Sequence, residues 1–209
     1  MKMVFLGPPG AGKGTLAAMA SKRLGVPHIS TGDLFRAAIK NETELGKKVK
    51  SILAEGSLVP DGLTISLVKE RLSLADARNG WILDGFPRTI IQAEALQSID
   101  EVDLVVNFDV QDGTILFRLT GRRVCRNCGR IYHISTMPPA REGICDACGG
   151  PLYTRPDDSE ESIKTRLAAY RDQTEPLIQW YGNLDRLKTI DGSGSPDSVY
   201  ERFSEVLGA

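Results

Sequence analysis

The residues best suited to chemistry lie in a glycine-rich segment near the start of the chain, residues 7–15, with the sequence GPPGAGKGT. The segment follows a short apolar run at residues 4–6, which predicts a buried strand, and precedes a helical stretch at residues 16–24. Glycines let backbone N–H groups point inward, and a helix N-terminus adds partial positive charge. We therefore predict a cradle for nucleotide phosphates, with Lys13 reaching the β- and γ-phosphates. A simple strand-to-helix turn with a solvated Lys13 would leave four glycines and a lysine unexplained.

A hydroxyl group usually follows the lysine of such a loop, but here Gly14 intervenes and the hydroxyl belongs to Thr15. We therefore expect Mg²⁺ to be held mainly by waters and phosphate oxygens rather than by a direct bond to Thr15. Asp84 follows the apolar run 81–83 and is placed like the acidic element near the metal of phosphate-loop enzymes. It predicts an indirect contact with Mg²⁺; the alternative is a cap for a helix at residues 89–97.

Four cysteines form a second cluster of chemically competent residues. Cys125 and Cys128 make one Cys-x-x-Cys pair, sixteen residues follow, and Cys145 and Cys148 make the second. Two such pairs predict a tetrahedral Zn²⁺ site, and four sulfur ligands leave no open position, so the metal would be structural. Iron or cobalt could also occupy four thiolates, and a redox pair or scattered buried cysteines are the alternatives to a metal site.

The overall composition limits the possible functions. The chain has 209 residues, 41% hydrophobic and 25% charged, with a net charge of −1, as in ordinary globular proteins. There is no overall basic field for nucleic acid or an anionic membrane, and no apolar run approaches the length of a membrane span. The sequence begins directly with the predicted strand and loop, so no removable signal is visible and we expect a cytoplasmic protein. In that compartment, four cysteines favour metal ligation over disulfides.

Apolar runs and helical stretches alternate along the chain, which predicts an α/β fold with a parallel sheet covered on both faces. Strands are predicted at residues 4–6, 26–30, 81–83, 104–108 and 187–190. Helices are predicted at residues 16–24, 34–39, 44–55, 61–78, 89–97, 113–120, 160–181 and 197–207. Asp61 is expected to cap the helix that it begins, and Phe86-Pro87 is a plausible cis peptide bond. Neither His28 nor His133 is assigned a role.

An ordered set of motifs resembles the adenylate kinases, specifically the long-lid bacterial type with a zinc-bearing lid. The resemblance covers essentially the whole chain and rests on GPPGAGKGT at 7–15, STGDLFR at 30–36, GSLVPD at 56–61, LDGFPRT at 83–89, LTGRRVC at 119–125 and RPDD at 155–158. It implies a phosphate-loop nucleoside monophosphate kinase fold with a five-stranded parallel sheet flanked by helices. The implied units are a core at residues 1–29, 60–121 and 160–209, a helical NMP-binding insertion at 30–59, and a zinc-binding lid at 122–159.

The resemblance implies Mg²⁺-dependent, reversible phosphoryl transfer from ATP to AMP, giving two ADP and maintaining adenine nucleotide balance. The implied catalytic cations are Lys13, Arg88, Arg122, Arg155 and Arg166. The implied ATP contacts are Gly10, Ala11, Gly12, Lys13, Gly14, Thr15, the lid-side residues Arg118 and Arg122, Ile131, Tyr132 and Gly194. The implied AMP contacts are Thr31, Arg36, Ser57, Leu58, Val59, Gly85, Phe86, Pro87, Arg88, Gln92, Arg155 and Arg166.

Both insertions are predicted to close over the substrates and exclude water, with hinges near Arg122 and Ser159. The nearest rival is a kinase for UMP or CMP, although such relatives usually have a short lid. A small GTPase switch is opposed by the absence of an Asn-Lys-x-Asp motif from the sequence. A zinc-ribbon nucleic-acid binder is the third candidate, but acidic residues dilute the arginines of the cysteine segment and no aromatic series accompanies them. We expect a monomer whose partners are ATP, AMP and ADP.

Overall fold

Strands and helices alternate along most of the chain in the computed structural model, which describes residues 1–208. The strands are β1 (Lys2–Leu6), β2 (His28–Ser30), β3 (Trp81–Asp84), β4 (Leu104–Asp109), β5 (Arg122–Cys125), β6 (Ile131–His133), β7 (Leu152–Tyr153) and β8 (Leu187–Asp191). The helices are α1 (Lys13–Leu24), α2 (Thr31–Lys40), α3 (Glu44–Ala54), α4 (Asp61–Leu72), α5 (Ile90–Ile99), α6 (Asp112–Thr120), α7 (Glu160–Ala169), α8 (Pro176–Gly182) and α9 (Pro196–Leu207).

A parallel sheet forms the centre of the fold and confirms the predicted class. Within residues 1–208 its strand order is β2-β3-β1-β4-β8, and every neighbouring pair is parallel. Side chains of the central strand alternate between the two faces. Met3 and Phe5 join the apolar cluster that includes residues of α1, α6 and α9. Val4 and Leu6 join the cluster on the other face, which includes residues of α4, α5 and α8.

Helices α2 and α3 lie in the range predicted as the helical insertion and have a small apolar cluster of their own. Phe35 of α2, Val49 of α3 and Val59 are its buried members. Ser30 caps α2 and Thr43 caps α3, because their side chains accept hydrogen bonds from backbone N–H groups of the first turn. Capping side chains therefore determine where α2 and α3 begin, and a few apolar contacts hold the two helices together.

The cysteine segment folds as a small antiparallel sheet with little apolar interior. Within the described residues its strand order is β6-β5-β7. Its cluster of buried residues consists of Cys125, Tyr132 and Cys145, with Leu152 packed against them. Such a unit buries too little apolar area to stabilise itself, so we expect metal binding to supply much of its folding free energy.

Several predicted boundaries were wrong for local reasons. The helix predicted at residues 160–181 is divided into α7, a π-helical turn at Tyr170–Thr174, and α8. Pro176 begins α8, and a proline has no N–H to continue the hydrogen-bond ladder of the preceding helix. The helix predicted at 61–78 ends at Leu72 and is followed by a 3₁₀ turn at Ala75–Ala77. Helix α1 begins at Lys13, so the last residues of the phosphate loop are already helical.

The predicted capping role of Asp61 was also wrong, and the helix cap that was the alternative role for Asp84 is supplied by another residue. Asp61 lies inside the first turn of α4, after Pro60, and makes no capping bond. The cap of α5 is Thr89, whose hydroxyl accepts from the N–H of Gln92, so Asp84 is not needed there. The predicted cis peptide bond between Phe86 and Pro87 is confirmed.

Candidate active site

One large cleft lies where the carboxyl ends of the central strands meet the insertion and the cysteine segment. Its cavity volume is about 650 Å³. Ligands of open α/β sheets bind at this edge, so the location fits a substrate site. Most of the predicted functional residues line it: Gly10, Ala11, Gly12, Lys13, Gly14, Thr15, Arg36, Ser57, Leu58, Asp84, Gly85, Pro87, Arg88, Arg118, Arg122, Ile131, Tyr132, Arg155, Arg166 and Gly194.

A smaller cavity of about 20 Å³ lies on the insertion side and shares several lining residues with the large cleft. The predicted AMP contacts that line it are Thr31, Ser57, Leu58, Val59, Gly85, Arg88 and Gln92. Phe86 is the exception among the predicted contacts. Its ring is fully buried in the core cluster and lines neither cavity, so its side chain is a packing element rather than a ligand contact.

The phosphate loop wraps closely around its own lysine. The ammonium Nζ of Lys13 donates to the carbonyl oxygens of Gly7 and Pro8 at 2.7 and 2.8 Å. Gly10 has a φ of +81°, and a Cβ there would lie 2.9 Å from Cγ of Leu119, so this turn requires glycine. Burial lowers the pKa of Lys13 to about 8; nearby arginines also lower it, whereas Asp84 acts to raise it.

Asp84 lies directly beside the loop, which explains the glycine after the lysine. A Cβ on Gly14 would lie 3.2 Å from the carboxylate Oδ2 of Asp84. Burial acts to raise the pKa of Asp84, but His28 and Lys13 outweigh it and hold the pKa below its usual value. The carboxylate therefore remains an anion next to the loop, as an indirect Mg²⁺ contact requires.

His28 was not assigned a function from the sequence, yet its imidazole lies close to that carboxylate. Its Nε2 lies 3.6 Å from Oδ2 of Asp84 and has no hydrogen-bond partner among residues 1–208. The two residues are brought together by the pairing of β2 with β3, in which Ser30 lies opposite Asp84. A histidine in a short apolar strand gives no signal for a partner more than fifty positions away.

Arginines from several elements converge on the same cleft. Burial lowers the pKa of Arg88 to about 10, and the charge of Arg166 adds to the effect. Burial likewise lowers the pKa of Arg155 to about 10, with a further contribution from Arg36 and Arg122. Arg88 is oriented by its Nε–H, which donates to the carbonyl oxygen of Gly85 at 2.8 Å. This concentration of buried cations fits a polyanionic ligand.

Two aspartates hold the arginines near the lid boundary. Arg122 donates to both carboxylate oxygens of Asp158, at 2.8 Å from Nε and 2.5 Å from Nη2, and the Asp158 side chain is fully buried. Nη1 of Arg166 lies 3.1 Å from a carboxylate oxygen of Asp157 and 3.3 Å from one of Asp158. The sequence motif at 155–158 contained these aspartates, but we assigned them no role; their proximity to Arg155 was the available signal.

Arg118, which was predicted as a lid-side ATP contact, lies on α6, within the predicted core range of residues 60–121. Its guanidinium donates to the carbonyl oxygens of Ala11, Gly192 and Gly194, at 3.2, 3.0 and 3.3 Å. It therefore joins the phosphate loop to the turn after β8. This arrangement places Gly194 and the loop on the same side of the cleft.

Gln92 is held by hydrogen bonds at both ends of its amide. Its Oε1 accepts from the N–H of Arg88 at 2.8 Å, and its Nε2 donates to Oδ1 of Asp61 at 2.7 Å. The same carboxylate oxygen accepts from the hydroxyl of Thr89 at 3.0 Å. Asp61 thus orients the amide that we predicted to contact a base, a role that the capping interpretation missed.

The four cysteines have the geometry of a metal site. Their Sγ atoms all lie within 4.8 Å of one another, and two cross-pairs, Cys125 with Cys148 and Cys128 with Cys145, are 3.5 Å apart. A tetrahedral site with Zn–S bonds of ~2.3 Å requires sulfur separations of roughly 3.8 Å. All four thiols are free rather than paired in disulfides. The donor set therefore fits Zn²⁺, with no need for His133.

Comparison with known proteins now identifies the family. The adenylate kinase family model matches residues 5–186. The chain belongs to the adenylate kinase family. An adenylate kinase of Treponema denticola is 56% identical over 203 residues, covering 97% of each chain. One from Caldicellulosiruptor bescii is 55% identical over 214 residues, covering 100% of this chain and 98% of its own.

A third adenylate kinase, from Thermosipho africanus, is 49% identical over 212 residues, covering 99% of each chain. These near full-length matches to proteins with the same name support the adenylate kinase interpretation over a UMP or CMP kinase. No helix within residues 1–208 combines the length and apolar character needed to cross a membrane.

Proposed function

We propose that this adenylate kinase transfers the terminal phosphoryl group of ATP to AMP, reversibly and with Mg²⁺, to give two ADP. The observation that carries the proposal is the convergence of two groups of cations on one cleft. Lys13 approaches from the phosphate loop, and Arg88 and Arg155 from the insertion side and the lid boundary. Two anionic substrates placed end to end would bring their phosphates to this meeting point.

ATP is assigned to the side of the cleft that contains the phosphate loop. Backbone N–H groups of residues 10–15 would bind its phosphates, because glycines leave them accessible and α1 begins there. Arg118 and Gly194 border the end of this side, where a base would lie. Arg122, Ile131 and Tyr132 would cover the nucleotide from the lid.

AMP is assigned to the side next to the insertion. Arg36 and Arg88 would bind its phosphate, and the backbone of residues 57–59 and 85–87 would enclose the nucleoside. Gln92 would meet the base edge with an amide whose orientation Asp61 fixes. An amide both donates and accepts hydrogen bonds, which suits the N6 and N1 edge of adenine.

The transfer needs no nucleophilic side chain. An oxygen of the AMP phosphate forms the new bond to the γ-phosphorus while the bond from that phosphorus to the β–γ bridging oxygen breaks, leaving ADP on each side. Mg²⁺ neutralises developing charge on the phosphate oxygens in such reactions. Asp84 would hold water ligands of the metal, and Arg122, Arg155 and Arg166 would stabilise the transferring group electrostatically.

Zn²⁺ in the cysteine cluster is proposed as a structural ion that keeps the lid rigid while it moves. The lid and the insertion would close over both nucleotides, with hinges near Arg122 and Ser159, so that water cannot compete with AMP as acceptor. A cytoplasmic location belongs to the proposal, because two Cys-x-x-Cys pairs at metal-ligand spacing are typical of a reducing compartment. We also propose that the protein acts as a monomer.

ADP formation from ATP, AMP and Mg²⁺ tests the proposal, with Arg88→Ala as the decisive variant. We expect turnover to fall by roughly 10³-fold, the scale of losing an arginine that stabilises phosphoryl transfer. Arg71→Ala is the matched control, because Arg71 forms an ion pair with Asp76 on the surface of α4. It should leave turnover unchanged, and circular dichroism should show both variants folded.

The acceptor specificity is tested by offering AMP, GMP, CMP and UMP in the same assay. We expect AMP to have the highest kcat/KM, because the amide of Gln92 faces the insertion-side cavity. Equal or faster turnover of UMP or CMP would overturn the adenine assignment. Full activity of Arg88→Ala would overturn the arrangement of the two substrates.

A further inference from the structure

We propose that Tyr132 is a positioning residue of the metal site, through a hydrogen bond from its phenol to the sulfur of Cys145. This inference rests on the proposed metal at the four cysteines. Tyr132 was assigned from the family resemblance to the nucleotide side of the lid. Its hydroxyl nevertheless lies 3.4 Å from Sγ of Cys145, and the side chain is buried in the small cluster of the lid.

The direction of this hydrogen bond is set by a second partner. The backbone N–H of Asp146 donates to the hydroxyl oxygen of Tyr132 at 2.8 Å. A phenol has only one hydrogen to donate, and here a lone pair of its oxygen is already engaged. The O–H group is therefore free to point at the sulfur of Cys145, which as a metal-bound thiolate can only accept.

Tyr132 joins the two halves of the metal site. It lies on β6, which pairs with β5, the strand that ends at the first cysteine, and it stands opposite Arg123 in that pairing. Cys145 belongs to the second Cys-x-x-Cys pair. The phenol consequently fixes the position of the second pair relative to the first through a contact that does not pass through the metal.

Cys145 differs from the other three cysteines in this respect. Among residues 1–208, the side-chain hydrogen bonds of the remaining sulfurs are with other cysteines only, Cys125 with Cys148 and Cys128 with Cys145. Hydrogen bonds from outside the ligand set orient a metal ligand and modulate its donation to the metal. Tyr132 therefore acts on the thiolate of Cys145 alone. Its loss should weaken retention of the metal, because the second Cys-x-x-Cys pair then loses the contact that holds it in place, and this effect should outweigh the stronger donation by the freed thiolate.

Tyr132→Phe tests the inference, because it removes the hydroxyl and keeps the ring. Tyr153→Phe is the matched control: this tyrosine also lies in the lid sheet, and its ring stacks under the guanidinium of Arg126 at 4.4 Å. Each protein is purified with Zn²⁺, and release of the ion to a chromogenic chelator is followed. Tyr132→Phe should release Zn²⁺ roughly 10- to 100-fold faster than the wild type, whereas Tyr153→Phe should match it.

Co²⁺ substitution supplies a readout that general loosening of the lid would not produce. Removing a hydrogen bond from a thiolate makes it a better electron donor, so the sulfur-to-cobalt charge-transfer band of Tyr132→Phe should move to longer wavelength. An unchanged band and unchanged Zn²⁺ release would overturn the role of Tyr132. Equal impairment in Tyr153→Phe would overturn it as well. Failure of the wild type to bind either ion would instead overturn the metal site itself. The phosphoryl-transfer proposal would be unaffected, because the ADP-formation assay tests it independently.

Discussion

At the scale of single residues, the cleft contains more buried cationic side chains than its own carboxylates can neutralise. Burial lowers the pKa values of Lys13, Arg88 and Arg155 below their ordinary ranges. Removing a charge from water is unfavourable unless a partner of opposite sign replaces the solvent. Phosphates bound between these side chains would provide that partner, so the electrostatic cost in the free protein becomes affinity for polyanions.

Lys13 makes this argument testable by pH. Its pKa of about 8 lies below the ordinary lysine value of 10.5, so the free protein loses the lysine charge as the pH rises above about 8. We expect kcat/KM for ATP to fall above pH 8, by up to about tenfold per pH unit. ATP binding at pH 8.5 should take up protons, measured by calorimetry in buffers of different ionisation enthalpy, and binding at pH 6.5 should not.

AMP binding is the internal control, because the pKa of Arg88 is about 10 and this arginine keeps its charge through the same range.

The lowered pKa of Lys13 also makes the folding stability depend on pH, in a direction that can be stated. A lysine whose pKa is lowered by folding opposes folding below pH 8, and that opposition disappears as the pH rises from 8 towards 10.5. A flat profile for ATP between pH 7 and 9.5 would contradict a buried, titrating Lys13.

At the scale of elements, the lid is anchored to the end of α6 by His133, the last residue of β6. Nδ1 of His133 accepts from the N–H groups of Ser135 and Thr136, each at 3.1 Å, so its hydrogen resides on Nε2. Nε2 in turn donates to the carbonyl oxygen of Phe117 at 3.1 Å. The imidazole fills the space above Gly121, the residue that ends α6. Strand β6 is thereby fixed to the helix that borders the nucleotide.

Gly121→Ala should displace this anchor. A Cβ at Gly121 would lie 2.1 Å from Nε2 of His133, although its backbone conformation would accept alanine. We expect kcat/KM for ATP to fall roughly tenfold, the equivalent of one hydrogen bond of about 1.4 kcal/mol, and the melting temperature to drop. Gly113→Ala, on the same helix with open space around it, should be neutral or stabilising. Equal kinetics for the two variants would contradict a lid anchored at this point.

The anchor also illustrates what the sequence could and could not predict. Apolar runs located all five strands of the central sheet, because buried parallel strands are continuously hydrophobic. The phosphate loop and the cysteines were found because each acts through short, local spacing. Asp158 and His133 were missed as functional positions, because their partners Arg122 and Phe117 lie 36 and 16 positions away. Such pairs depend on tertiary packing, which local pattern does not encode.

At the scale of the whole molecule, the insertion and the lid boundary, which both border the cleft, are only weakly joined to each other. Arg155, near the lid boundary, lies 3.9 Å from the carboxylate of Asp33 on the insertion. Asp33 is 60% exposed, and an ion pair of this kind contributes little to stability. A further contact is the hydroxyl of Ser162, which donates to the carbonyl oxygen of Ala54 at 3.1 Å. Closure of the cleft must therefore draw mainly on the nucleotides that bridge its walls.

Removing the metal distinguishes the contribution of the lid to nucleotide binding from the contribution of the insertion. The lid has a minimal apolar cluster, so without an ion at the four cysteines its sheet should lose order while the central sheet remains intact. The ATP side of the cleft includes Ile131 and Tyr132 from the lid, whereas the insertion-side cavity is lined without any lid residue. Treatment with a strong chelator should therefore raise the Kd for ATP about tenfold or more and leave the Kd for AMP nearly unchanged.

Calorimetry of the chelated protein should also show a lower melting temperature, and added Zn²⁺ should restore both properties. Binding of ATP favours the ordered lid, so linkage requires ATP to strengthen metal binding by the same free energy with which the metal strengthens ATP binding. AMP, which is proposed to contact the insertion-side cavity, should have little effect on the metal affinity. Unchanged ATP affinity and melting temperature after verified metal removal would show that the lid holds its structure without the ion, and the cysteine cluster would then have no part in closure.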